Sequence, residues 1–274
     1  MLLTSKNEFL KIRLFWELAK CSIKRQLTYR SATLAGLVTN FFFGIIRAAI
    51  LIALYDTRQN IAGISLKSAV TYAALTQGII AYLSFFGWTK IMDTIYTGDI
   101  SSDLLKPINY FSFWLAKDFG RAVVNFVMRG ITLMFGYALI FDLINPRRGW
   151  QWVALIMSIF LSWMLNFSWR FLVNLSAFWI QNARGVARFF FISMWFFSGF
   201  LMPLRYYPEW VIRLSHFTPF PSMINTVVEI YLNILQGPEL IQALLVQLAW
   251  ALALIGLGQL VLKAGVRRLV ILGG

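Results

Sequence analysis

The chain has 274 residues, 59% hydrophobic and 17% aromatic, with only 13% charged and a formal net charge of +14. A water-soluble domain carries roughly 25% charged residues. This composition therefore excludes one, and the long continuous apolar runs define an all-α polytopic membrane protein and not a barrel of short alternating strands. The basic excess gathers at the ends of apolar runs, where Lys and Arg set topology, so it gives no support to nucleic-acid binding.

Residues 1–30 carry Lys6, Lys11, Arg13, Lys20, Lys24, Arg25 and Arg30, interleaved with Leu10, Ile12, Phe15, Trp16 and Leu18. No short apolar core with a small-residue cleavage site follows, so this is not a removable signal. It reads as an amphipathic helix lying along the cytoplasmic membrane face. A crossing needs ~20 apolar residues, and about six such spans follow on that requirement. They are expected near 31–55, 68–88, 119–143, 150–171 (continuing toward Ile180), 186–203 and 240–262. With the N-terminus inside, sixteen Lys and Arg fall on the cytoplasmic side and six outside, which puts both termini in the cytoplasm.

Two segments between spans are too elaborate to be plain connections, which need only a few residues. The first, 89–121, contains Gly98, Asp99 and Ile100, then Asp103, Leu104, Leu105, Lys106 and Pro107. A Gly turn, a short helical run and a Pro stop make a stiff cytoplasmic docking element. The second, 199–238, opens with Gly199 and is broken by Pro203, Pro208, Pro219 and Pro221. Two short helices dipping into the outer leaflet fit it, provided protein or a water-filled cavity surrounds them. No linker or internal repeat divides residues 1–274, so the chain is read as one domain.

Motifs that carry chemistry are absent. No Gly-rich loop ends in Gly-Lys-Ser or Gly-Lys-Thr, so nucleotide phosphates are not cradled here. Cys21 is the only cysteine and His216 the only histidine, which leaves no cysteine or multi-histidine metal site within the chain. Asp56 and Asp142 fall near outer helix ends, and no carboxylate is expected deep in a span, which disfavours an ion-coupled carrier. Arg47, Arg129 and Arg170 do fall within spans. A charge there costs at least ~2.5 kcal/mol on insertion scales, so each must face protein or a polar cavity. They either line a positively charged path, with Asn125 and other amides such as Asn40, Gln77 and Asn166, or serve interhelical hydrogen bonding and snorkelling. Aromatic runs at 41–43, 189–191 and 195–197 either line an apolar cargo site or pack.

The amphipathic N-terminal helix, six spans, the loop Tyr96-Thr97-Gly98-Asp99-Ile100 with Leu104-Leu105-Lys106-Pro107, and the outer Ser198-Gly199, Pro203-Leu204, Pro208-Glu209-Trp210 and Pro219-Phe220 together resemble the permease subunits of bacterial ATP-binding-cassette type-2 (ABC-2) exporters. The resemblance implies a multi-pass protein of the bacterial cytoplasmic (inner) membrane. It implies a pair of permeases, identical or paralogous, docked on two ATPase subunits that hold ATP-Mg, with no cofactor and no catalytic residue on this chain. The expected activity is ATP-driven export of a hydrophobic or amphiphilic small molecule, lipid or glycan. A membrane-embedded lipid-modifying enzyme and a non-transporting membrane anchor or assembly subunit are the alternatives.

Overall fold

The computed structural model describes residues 2–56, 58–84 and 88–269, without the side chains of residues 2–9 and Arg30. Met1, the Lys6 and Arg30 side chains counted in the topology, residues 85–87 of the expected second span and residues 270–274 lie outside the described residues. In chain order the helices begin with α1 (Leu2–Thr28) and α2 (Arg30–Tyr55). A hairpin of β1 (Asn60–Ile61) and β2 (Ile64–Ser65) precedes α3 (Leu66–Leu83), α4 (Lys90–Thr97) and α5 (Ile100–Leu104). Then come α6 (Tyr110–Asn125), a π-helical turn (Phe126–Ile131), α7 (Thr132–Ile140), α8 (Gly149–Leu175) and α9 (Arg184–Phe197). The chain continues through α10 (Glu209–His216) and α11 (Asn225–Tyr231) to α12 (Gly237–Val266).

Among the described residues, four stretches are long and apolar enough to cross a membrane: Ser31–Tyr55, Tyr110–Ile140, Gly149–Phe178 and Gly237–Val266. The outward faces of these helices are apolar and exposed, with Phe42, Phe135, Leu139, Ile156 and Leu260 all more than half accessible, as a lipid-facing surface requires. The other two expected spans are α3, of 18 residues, and α9, of 14 residues. Helix α3 is buried on nearly every side from Ala69 to Leu83 and forms the centre of the bundle. At 1.5 Å per residue, α9 rises only about 21 Å, short of a ~30 Å hydrocarbon core.

The third spanning stretch starts at Tyr110, ahead of the expected Phe119. Asn109 Oδ1 caps it by accepting from the Phe111 amide at 2.9 Å, while Tyr110 and Phe111 pack on Phe171 of α8. Its mid-point is the π-helical turn, where α3 comes backbone to backbone. A Cβ on Gly130 would stand 3.2 Å from the Gly78 carbonyl oxygen. Helix α1 lies along α6 with equal intimacy. A Cβ on Gly120 would meet the Ala19 carbonyl oxygen at 2.3 Å, and Ser22 Oγ donates to the Lys117 carbonyl at 2.5 Å.

The Pro-broken segment after α9 sits at the hairpin end of the bundle. Gly199 takes a left-handed φ of +79°, a conformation that glycine adopts without steric penalty. The irregular backbone around it is satisfied by polar side chains from the long helices. Tyr72 donates to the Gly199 carbonyl at 2.7 Å, Gln247 to Ser222 at 2.8 Å and Ser162 to Met223 at 2.5 Å. Gln151 donates to both Ile230 and Tyr231, at 3.0 and 2.8 Å. Non-helical backbone at such a position persists only when protein supplies these partners. Pro203, Pro219 and Pro221 are buried and Pro208 is exposed at the start of α10. Helix α10 carries Trp210 and Leu214 outward, as does Phe217 just after it, whereas α11 is almost wholly buried.

Candidate functional site

Two features lie at the end of the bundle opposite the hairpin, and they share α4. The first is the compact unit formed by α4, α5 and the chain to Pro107. Gly98 closes α4 with φ +79°, the left-handed C-cap that favours glycine. Ile100 is fully buried in a cluster with Tyr110, Phe171 and Leu262. Asp103 is buried too and pairs with Lys106, whose ammonium also stands 3.9 Å from the Phe113 ring centroid.

The unit is bolted to α8 and to the α8–α9 connection. The Met92 amide donates to Asn174 Oδ1 at 2.9 Å. Tyr96 donates to the Ile180 carbonyl at 2.9 Å and accepts from the Ala183 amide at 2.7 Å. Arg184 pairs with Asp93 at 3.0 Å. The eight residues expected to dock therefore divide. Gly98, Asp99, Leu105, Lys106 and Pro107 are exposed, with Leu105 standing 87% accessible. Ile100 and Asp103 are buried and Leu104 half-buried, so these three shape the unit from within.

The second feature is a cavity of about 600 Å³ between α1, α4, α6 and α8. Its walls are largely apolar, from Leu18, Trp88, Ile91, Trp114 and Phe167, and its charges are Arg25, Lys90, Lys117, Arg121, Arg170 and Asp118. Asp118, expected in the cytoplasmic loop 89–121, instead sits near the start of the third spanning stretch and is buried. Its Oδ2 accepts from Arg170 Nη2 at 2.9 Å and Trp163 Nε1 at 2.9 Å, and its Oδ1 from Arg121 Nη2 at 2.7 Å. Arg170 spends its Nε on Asn166 at 2.7 Å. Among the described residues, Arg25, Lys90 and Lys117 have no carboxylate partner. Burial pushes the Lys90 ammonium below its ordinary pKa, and Arg25 and Arg121 push it the same way.

The four residues proposed to line a path do not converge. Arg170 lines the cavity, and Asn125 stands just beyond it, accepting from Gln26 Nε2 at 3.4 Å. Arg129 rises from the π-helical turn against Gly36 of α2, and its buried Nε has no hydrogen-bond partner among the described residues. Arg47 is at the hairpin end. It donates to Thr76 at 3.1 Å and to the carbonyls of Phe200 and, at 2.7 Å, Leu201, clamping the outer segment. The aromatic runs go mainly into packing: Phe41 stacks on Tyr137, Phe190 meets Trp169 and Phe196 meets Tyr207. His216 is exposed at the end of α10. Sequence reasoning missed Asp118, although Asp118 and Arg121 at i, i+3 with an arginine inside a later apolar run was the available signal.

Apolar, exposed outer faces on long helices define the class as a helical membrane protein. A family model described as ABC-2 family transporter protein matches residues 40–273, and the chain belongs to that family. It is thus a multi-pass membrane protein, a transporter subunit and not an enzyme, of a family that associates with ATP-binding-cassette ATPases. No curated protein matches the chain. Helix α1 precedes the matched residues.

Proposed function

We propose that the chain forms the pathway of an ATP-driven exporter in the bacterial cytoplasmic membrane, moving a hydrophobic or amphiphilic small molecule, lipid or glycan outward. On this reading α3 and α9 complete six passes together with the four long stretches, and α1, the α4–α5 unit and both termini face the cytoplasm, as the distribution of basic residues favours. Two such permeases, identical or paralogous, stand on two ATPase subunits, which carry ATP-Mg. The observation that supports this best is the α4–α5 unit itself. A connection held by Asn174, Tyr96 and Arg184 to a neighbouring span, yet pushing Leu105 87% into solvent, is built to pass force rather than merely to join helices. A rigid knob of this kind converts closure of a partner into movement of the bundle.

The test is purification of the chain from its native membrane in mild detergent, with co-purifying subunits identified by mass spectrometry. A stoichiometric ATPase, with or without a second permease, is the expected result. A chain that emerges alone under conditions that preserve other membrane complexes refutes the reading, and covalent turnover of lipid by that chain would point to an enzyme instead.

A further inference from the structure

We propose that the cavity between α1, α4, α6 and α8 is a binding site for a phosphate-bearing anionic group, the polar end of the exporter's amphiphilic cargo. The inference rests on the exporter reading for the word cargo, but the binding itself stands on the cavity. At about 600 Å³ it lies in the size range of small-molecule sites. Five cations, Arg25, Lys90, Lys117, Arg121 and Arg170, line it against one carboxylate. That carboxylate is already spent: Asp118 is held between Arg121 and Arg170 at 2.7 and 2.9 Å.

The remaining cations repel one another across an apolar-walled space. Arg25 and Lys90 are exposed and Lys117 is half-buried, its ammonium over the Phe113 and Trp114 rings at 3.9 and 4.6 Å, so the three together set a positive potential at the cavity that draws an anion in. An anion entering here relieves the repulsion and gains charge-assisted hydrogen bonds from Lys and Arg. Trp88, Trp114 and Phe167 on the same walls offer apolar surface for the adjoining part of an amphiphile. The ligand is therefore an anion with an attached apolar body, and a doubly charged phosphate matches the charge surplus better than a single carboxylate.

Cys21, the only cysteine, is exposed and lines this cavity, so it reports occupancy directly. The full chain in maltoside micelles is treated with a maleimide while dioctanoyl phosphatidic acid, dioctanoyl phosphatidylcholine or inorganic phosphate is titrated in. Phosphatidic acid is expected to slow Cys21 alkylation at concentrations at least tenfold below phosphatidylcholine. Lys90→Ala and Arg25→Ala should each weaken that protection by about tenfold, the worth of one charge-assisted contact. Lys90→Arg should restore it, and Arg148→Ala, away from the cavity, should leave it unchanged. Inorganic phosphate protecting as well as the lipid would keep the site and assign it to a soluble phosphate; protection by phosphatidic acid alone assigns it to a lipid headgroup.

Equal protection by the zwitterionic and anionic lipids, or cavity variants that behave like Arg148→Ala, overturns the proposal. Size-exclusion elution at the wild-type position shows that a variant is folded. An ATPase that co-purifies while anion protection fails removes the site and leaves the exporter. Protection without any ATPase does the reverse.

Discussion

Asp118→Asn should be among the most destabilising single changes in this chain. The substitution keeps the shape but removes the only carboxylate paired with Arg170 among the described residues, Arg170 being 7% accessible, and weakens the contacts from Arg121 and Trp163. Breaking a buried ion pair on one side costs roughly 3–5 kcal/mol, because the remaining charge is left uncompensated. The neighbouring cavity admits water and Arg121 is partly exposed, so the low end applies, about 3 kcal/mol, or about a hundredfold in the unfolding equilibrium. Asp118→Asn combined with Arg170→Gln removes both charges and should recover most of the loss, with a coupling energy of about 1–3 kcal/mol. The assay is SDS-titrated unfolding in mixed micelles, followed by tryptophan fluorescence. A single mutant within about 0.5 kcal/mol of wild type, the range of an indifferent surface change, refutes the network. So does a double mutant as unstable as the sum of its parts.

Other expectations are simpler to check. Leu105→Asp should leave insertion and unfolding unchanged, since the side chain is 87% exposed. It should nevertheless reduce ATPase co-purification at least about tenfold, as loss of an apolar anchor does; undiminished recovery of the ATPase would show that Leu105 is not at the contact. Gly199→Ala should destabilise by about 1–3 kcal/mol, because φ is +79° and the added Cβ would stand 2.4 Å from the Tyr72 hydroxyl. Unfolding at the wild-type SDS concentration would disprove that account.

What could be read from the sequence depended on whether a residue's role is local. The left-handed turn at Gly98, the short helix that follows and the Pro-broken segment from Gly199 are dictated by glycine and proline backbone preferences, and each is found where those residues stand. Apolar length likewise located the four long spans. The start of the third span was hidden because Lys117, Asp118 and Arg121 make α6 look polar. Asp118 and Arg121 neutralise each other, Arg170 completes the set from α8, and α1 covers the same face. A hydropathy reading sees the charges and not their partners. Arg47 was equally opaque, because its carbonyl acceptors at Phe200 and Leu201 come from far along the chain. The cavity could not be foreseen at all, since its cations are drawn from four different helices.

The placement of α4 joins the proposed docking unit to the cavity. Lys90 at its start lines the cavity, and Gly98 at its end makes the left-handed turn into α5. Eight helical residues rise only about 12 Å, so motion of the knob moves Lys90 with it. Asn174 is the joint between this lever and the bundle. It accepts from the Met92 amide at 2.9 Å and donates to the carbonyls of Trp88 and Arg170 at 3.1 and 2.7 Å. Coupling between two sites is a free energy that each exerts equally on the other. If the anion and the ATPase both act through α4, then loosening Asn174, which itself lines the cavity, should weaken their mutual influence more than it weakens anion protection of Cys21. Asn174→Ala is therefore expected to leave ATPase co-purification and folding measurable while lowering phosphatidic-acid stimulation of ATP hydrolysis by at least about fivefold, the small end of usual coupling energies. Full stimulation in that variant would mean that α4 is not the path between them, and that cavity and knob act independently.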